Sequence, residues 1–532
     1  MIAIVDCLAV GDVGTRMATL DVVGVGPRAI AGILERFNVP YELKLCHELL
    51  ERVGLLSDYE ALLISAMSSD LRSVLKLIRK YRRIRKDGLI IVGGPIFVND
   101  EELIRGGADV VVRNEGELTL SELISQGLLE GRRDFLDCVK GITYSKGDEI
   151  IRNSARGFLS RHVLNRFKHS VNVVKCYKNF WALRIYVEVV RGCSNFFRPK
   201  PGLVNCIECH RCRAGPLSQR TECPVGIPPG CGYCGVPALF GPARSRNPYL
   251  VLSEIEGLVK LGVRRVVLSA PDFLDYGRDL LVEPEPLTNP REPPPNLDYI
   301  RKLLDLIIGL DEVRRGEVVI SIENIKPNLV NEEVAELLGE YLSGTAVHIG
   351  LETGDEEHHV AVGRPSHVNE VLNAIKLLRK YGLRPYVYLI HGLPGQNERT
   401  IKNTLAVIDR LAKLGVEKIT LYRFTPLKGT AFEKYPKPPP AIEDKLSKAL
   451  YEKVREFNIR VKESMVGKVM EVIGVSRKGG YVVTYPIKHG PVVLVRGSSR
   501  LIGKLIKVKI TEVLSDRELK GEVISYRTLM RI

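Results

Sequence analysis

The chain has 532 residues, 45% of them hydrophobic, and a formal charge of +15. That length suits about three domains. No run of about 18 apolar residues occurs, which excludes a membrane-spanning helix. Met1–Asp6 has no basic leader and reads as a first strand rather than a signal peptide, so a cytoplasmic location with reduced thiols is expected. The basic balance suits a polyanionic partner, either RNA or an anionic membrane lipid, with peripheral placement at the inner membrane surface as the alternative location. It suits equally the Lys/Arg-rich surface of a heat-adapted protein.

In chain order, residues 1–130 alternate strand and helix. Strands are expected at Ile2–Cys7, Tyr41–Cys46, Ala61–Ala66, Leu89–Pro95 and Asp109–Glu117. Helices are expected at Pro27–Phe37 and, capped by Asp70, at Asp70–Arg83. The pattern predicts an α/β, doubly wound parallel sheet whose ligands bind beyond the strand C-termini. Residues 131–182 are mixed and basic and read as a connector, with the single tryptophan, Trp181, as a packing residue. From 183 to 435 the alternation resumes. Strands at 183–190, 265–269, 317–322, 347–351, 385–391 and 418–424, with helices at 247–261, 297–308, 331–342, 366–381 and 398–414, predict a partial (β/α) barrel of about six units. A helical linker spans 436–462. Residues 463–532 read as short strands with glycine turns, hence a small OB-like β-barrel. From Ser464 onward it carries 13 Lys/Arg against 5 Asp/Glu.

Seven of the eleven cysteines lie between Cys193 and Cys234. Thiolates grouped on Gly- and Pro-rich loops suit Fe–S clusters or zinc, and the C-x-x-C spacings argue against a disulfide framework or scattered core cysteines. Cys206, Cys209, Cys212 and Cys223-Pro224 resemble the ferredoxin run C-x-x-C-x-x-C…C-P. They predict an auxiliary Fe–S cluster in an insertion at 194–230, with structural zinc, and His210 as an optional ligand, as the alternative.

Arg191-Gly-Cys193 follows the first barrel strand and Cys231-Gly-Tyr-Cys234 closes the insertion. Together they resemble the three-cysteine loop of radical S-adenosylmethionine (SAM) enzymes, which implies a [4Fe–4S] cluster on Cys193, Cys231 and Cys234, with Cys223 as the alternative first ligand. In this superfamily the open iron binds SAM and electron transfer yields a 5′-deoxyadenosyl radical. The resemblance continues at Leu268-Ser-Ala-Pro-Asp272, Gly350-Leu-Glu-Thr-Gly354 with Val362-Gly-Arg-Pro365, Ile390-His-Gly-Leu-Pro-Gly395 and Tyr422–Thr430. It implies SAM contacts from Ser269, Ala270, Pro271, Asp272, Glu323, Glu352, Arg364 and Gly392. No catalytic side chain is singled out. His348, His358, His359 and His367 read mostly as surface or barrel-mouth residues, and His391 has the best functional chance.

Val92-Gly-Gly-Pro95 and Asn114-Glu-Gly-Glu117 resemble the turns of cobalamin-binding domains fused to radical SAM enzymes. The Asp-x-His-x-x-Gly motif for a lower cobalt ligand is absent, so cobalamin is allowed rather than required. The C-terminal segment resembles the TRAM domain, a basic barrel appended to RNA-modifying enzymes. The whole resembles archaeal methylthiotransferases and tetraether-lipid ring synthases. It implies an enzyme that functionalises an unactivated C–H bond with an electron donor such as ferredoxin. The substrate leans to RNA (tRNA base modification of methylthio- or alkyl-transfer type). The alternative is tetraether-lipid ring formation, and more remotely a non-catalytic RNA-binding protein.

Overall fold

The computed structural model describes residues 1–14 and 21–528. It divides into two compact units, Met1–Phe180 and Trp181 onward. No helix among the described residues is long and apolar enough to cross a membrane.

The first unit is a seven-stranded sheet. β1 (Ile2–Asp6), β2 (Tyr41–Leu45), β3 (Ala61–Ser65), β4 (Leu89–Gly93) and β5 (Val110–Val112) run parallel in the order β2-β1-β3-β4-β5. β6 (Ile142–Lys146) and β7 (Glu149–Arg152) extend it antiparallel. The central strands are unbroken Val/Ile/Leu runs because both faces are covered, as a parallel sheet requires. The hairpin β6–β7 departs from the expected connector. Its strands are short and basic, and its Gly147 at φ +63° makes a turn that composition does not flag. Asp70 also departs from expectation. It precedes the helix Leu71–Ile84, yet its carboxylate accepts from Gly11 N at 2.8 Å and Met67 N at 2.9 Å instead of capping that helix.

The second unit begins with six parallel strands: β8 (Arg184–Glu188), β9 (Arg265–Ser269), β10 (Val319–Ile322), β11 (Ala346–Glu352), β12 (Arg384–His391) and β13 (Lys418–Arg423). Two three-strand groups, β8-β9-β10 and β11-β12-β13, are joined by a parallel bridge between Asn324 and His348. Asparagine starts most of the covering helices. Asn247, Asn296, Asn331 and Asn397 each accept a backbone N–H of the first turn. Along β8 the buried residues alternate with half-buried Arg184, Tyr186 and Glu188, which leaves an inner face lined by polar and aromatic side chains.

β14 (Val469–Lys478), β15 (Tyr481–Pro486), β16 (Val492–Arg496), β17 (Lys504–Val513) and β18 (Glu518–Thr528) close into a barrel in the order β14-β15-β16-β18-β17. Closure removes the exposed edges that five short strands would otherwise present. Ile473, Val475, Ile487 and Leu505 of this barrel bury against Ala182, with Trp181 and Val319 packed alongside. The loop after β15 reaches the N-terminal end of the partial barrel. There the His489 ring lies 5.8 Å from His348 and 5.4 Å from Tyr386, and Arg384 donates to the His489 carbonyl at 2.9 Å. One end of the six-stranded barrel is thereby plugged, and the other, where the strands end, carries the site.

Candidate active site

The strand C-termini bring Glu188, Ser269, Glu323, Glu352, His391 and Arg423 to one mouth. Cys193 enters it from a tight turn. Gly192 has φ +81°, and a Cβ there would sit 2.2 Å from the Pro242 carbonyl oxygen. Cys193, Cys231 and Cys234 lie within electrostatic range of one another. Burial pushes the Cys193 thiol up to about 11 and the Cys234 thiol up to about 12, and a charge on Cys231 adds to both. Thiols raised like Cys193 and Cys234 stay protonated at neutral pH unaided, so a cationic centre is what would hold these two as thiolates.

Among the described residues no three His, Cys, Asp or Glu side chains close around a point as a site for one metal ion. A four-iron cube asks for something different, since each thiolate ligates its own iron and the sulfurs stand apart. Cys206, Cys212 and Cys223 are half-buried and Cys209 is exposed.

Around Cys231 the polar groups converge. Arg364 Nη1 approaches its sulfur at 3.8 Å and Glu352 Oε1 at 3.6 Å, while Nη2 donates to the Gly350 carbonyl at 2.6 Å. Arg364 Nε is buried with no hydrogen-bond partner among the described residues, a donor that suits an anionic ligand such as the SAM carboxylate. Glu352 sits at φ +64° beside a register shift in β11, and a Cβ on Gly350 would come within 2.3 Å of its carboxylate. The bulge and the bare Gly350 aim Glu352 into the mouth, strain of the kind stored at functional sites.

Ser269 and Glu323 meet, the hydroxyl donating to the carboxylate at 3.1 Å, and burial pushes Glu323 up to about 7. Pro271 is exposed and Ala270 buried. Gly392, at φ +72°, donates its N–H to Gln396 Oε1 at 2.7 Å, so the Gln396 side chain holds this loop.

Asp272 is not available to SAM. Fully buried, it accepts from Leu274 N and Lys326 N and pairs with Lys326 Nζ at 2.9 Å. The same ammonium meets Asp275 at 2.7 Å and Ser194 Oγ at 3.0 Å, and Arg278 pairs with Asp275 at 2.5 Å. Nothing in the spacing marks Lys326 or Asp275, because their partnership spans some fifty residues. His358 and His359 also depart from expectation. Both are buried pins: His358 Nε2 bonds the Pro394 carbonyl at 2.8 Å and His359 Nδ1 the Leu351 carbonyl at 2.8 Å. His348 and His391 are buried too, and His367 is exposed.

In the first unit the strand C-termini carry Cys7, Ala66–Ser69, Gly93–Pro95 and Asn114–Glu117. Gly94, at φ +88°, brings its backbone against Ala66, where a Cβ would meet the carbonyl oxygen at 2.7 Å. Residues 7–20 contain no histidine, so no imidazole follows β1 to reach a cobalt. A groove of about 600 Å³ elsewhere, lined by Arg379, Lys453, Phe457 and Met465, pairs several of its charges within its own lining, as in Arg379–Glu417 at 3.0 Å and Lys453–Asp409 at 2.6 Å.

Comparison with known proteins agrees with this geometry. Residues 222–428 match the Radical SAM superfamily and residues 12–124 the B12 binding domain. An uncharacterized protein of Methanopyrus kandleri is 40% identical over 98% of this chain and 96% of its own length. A tRNA-2-methylthio-N(6)-dimethylallyladenosine synthase of Clostridium novyi is 25% identical over 68% of this chain and 77% of its own. Among solved structures, the radical S-adenosylmethionine methyltransferase TsrM of Kitasatospora setae, with cobalamin and a [4Fe–4S] cluster bound, aligns with TM-score 0.56 and 16% identity, over 82% of this chain and 79% of that one. The cobalamin-dependent enzyme OxsB aligns with TM-score 0.56 and 14% identity, over 87% of this chain and 56% of that one. A six-stranded partial barrel with thiols at its mouth, in a chain whose first unit is a parallel sheet of the B12-binding kind, marks the chain as a member of the radical SAM superfamily, an enzyme that works with a [4Fe–4S] cluster and S-adenosylmethionine and carries a B12-binding domain.

Proposed function

We propose that Cys193, Cys231 and Cys234 hold the [4Fe–4S] cluster and that the enzyme functionalises an unactivated C–H bond of RNA, a tRNA base in a methylthio- or alkyl-transfer reaction. Bound together, cluster and SAM supply one-electron reductive cleavage of the sulfonium. The chain's own part is to bind and orient. Arg364 and Glu352 take the SAM carboxylate and ribose, Ser269 and Gly392 flank the cofactor, and Glu323 faces the barrel interior. There Tyr186, Tyr388 and Tyr422 offer flat surfaces, the last two with ring centroids 5.3 Å apart. Cys206, Cys209, Cys212 and Cys223 hold a second cluster on the insertion. The strand ends of the first unit seat cobalamin without a histidine ligand to the cobalt.

The observation that carries the RNA reading is the closed basic barrel. Tyr526, 58% exposed, stands on β18 beside Arg527, across from a β17 stretch that carries exposed Lys507. Cations neutralise phosphates and an exposed ring stacks on a base. The names of the tRNA-modifying relatives support the same substrate class. The test is mass spectrometry of tRNA nucleosides and of lipids from a strain lacking the gene. A missing modified nucleoside with unchanged lipids is expected. Intact nucleosides with altered membrane lipids would replace RNA by lipid as the substrate.

Gly192→Ala provides a check on the first ligand. Its Cβ would collide with the Pro242 carbonyl, and the positive φ adds strain of roughly 1–3 kcal/mol. The variant is expected to bind less iron after reconstitution, read by iron assay, with the fold of the first unit unchanged.

A further inference from the structure

Asn195 stands two residues after Cys193 and is 2% exposed. Its backbone N–H points at Cys193 Sγ at 3.4 Å, and its side-chain Nδ2 donates to Cys231 Sγ at 3.3 Å. The same Nδ2 donates to the Gly363 carbonyl at 3.0 Å, and Oδ1 accepts from Phe197 N at 3.2 Å. One buried amide residue therefore touches two of the three cysteine sulfurs at the mouth, and every polar atom of its carboxamide is engaged.

The placement is rigid. Ser194, one residue earlier, is gripped by Asp275 through its N–H at 3.1 Å and its hydroxyl at 2.8 Å. On the far side Gly363 packs so tightly that a Cβ would lie 2.9 Å from the Gly230 carbonyl and 3.2 Å from Cys231 Cα. Asn195 thus bridges the start of the insertion to its end, across 36 residues of sequence.

We propose that Asn195 is a positioning residue that sets the reduction potential of the cluster-binding site. This rests on the assignment of Cys193, Cys231 and Cys234 as the cluster ligands. An N–H donated to a ligating thiolate withdraws electron density from sulfur. It stabilises the more negative, reduced form, so the midpoint potential rises. The carboxamide is neutral, so it does this without adding a charge to a buried site. Arg364, at 3.8 Å from Cys231, is the more distant second donor.

The test uses the full chain reconstituted with iron and sulfide. Electron paramagnetic resonance is read during a redox titration, following the signal that shifts when SAM is added. Asn195→Leu removes both amide contacts of the side chain at similar volume. Asn195→Asp keeps the acceptor for Phe197 N and replaces the donor by a charge. Both variants are expected to bind wild-type iron. In Asn195→Leu the ratio of reduced to oxidised cluster at a fixed potential is expected to fall about tenfold, about 59 mV for a one-electron couple. Asn195→Asp is expected to fall further. Unchanged midpoints in both variants overturn the proposal, and so does loss of iron from both, which makes Asn195 a folding element only. Cys231→Ala in the same titration separates the two readings. If it keeps the SAM-responsive signal, the ligand assignment is what fails.

Discussion

Cys231→Ala and Cys234→Ala are each expected to abolish formation of 5′-deoxyadenosine from SAM, measured by chromatography after reduction with dithionite. The expectation follows from what burial does to these thiols. Cys193 is pushed to about 11 and Cys234 to about 12, so at neutral pH these two free thiols are protonated, and in the proposed assignment bonding to iron is what would hold them as thiolates. Removing one leaves two ligands for a cube that already has an iron open to SAM, so the cluster is not retained. Iron is expected to fall from about eight to about four atoms per chain if the insertion keeps its own cluster. Retained 5′-deoxyadenosine formation in both variants would remove this pair from the cluster. Retained activity in one, with loss in Cys223→Ala, would shift the ligand set toward the insertion.

The second large effect is on stability. Lys326→Met is expected to destabilise the second unit by about 3–5 kcal/mol, because it strands the buried carboxylate of Asp272 and leaves Asp275 with Arg278 as its one cation. Its signature is pH dependence. Burial alone would push Asp275 up, but Lys326 and Arg278 outweigh it and hold the carboxyl at about 2, below its ordinary 3.8. A depressed folded-state value contributes stability that is present above the unfolded value and is lost as pH falls from about 4 toward 2. Asp272 goes the other way, pushed up by burial despite Lys326, so Asp275 carries this window. Lys326→Met is therefore expected to cost most stability near neutral pH, with the deficit relative to wild type shrinking as pH falls from about 4 toward 2, measured by chemical denaturation followed by circular dichroism. Adding Asp272→Asn is expected to recover part of the lost stability, since one stranded charge is removed. A deficit that stays constant over that pH range would mean that the ammonium does not hold Asp275. The same substitution loosens Ser194, so it is also expected to reduce iron retention, whereas substitutions of the exposed Lys507 are not.

Much of the architecture is legible without coordinates because its signals are local. Apolar runs ending in glycine turns mark the parallel sheet, strand–helix alternation marks the partial barrel, and short strands separated by glycine turns after Ser464 mark the closed barrel. Cysteine spacing on Gly/Pro loops pointed to thiolate-bound metal, and the shared order of weak strand-end motifs pointed to the superfamily. Tertiary structure alone decided which groups face the cofactor. Asp272 reads as a mouth residue at the end of β9, yet it turns inward to Lys326, 54 residues away. Asn195 carries no motif, and its importance comes only from the loop that returns Cys231 to its side. Glu352 and Arg364 are both marked by motif, but only the bulge and the positive φ of Glu352 bring the two within 3.6 Å. The reason is physical. Periodicity and capping are set by neighbours three or four positions apart. The pairing of buried charges and amides depends on which distant segments meet, and loop closure leaves that open, since its entropic cost grows only logarithmically with length.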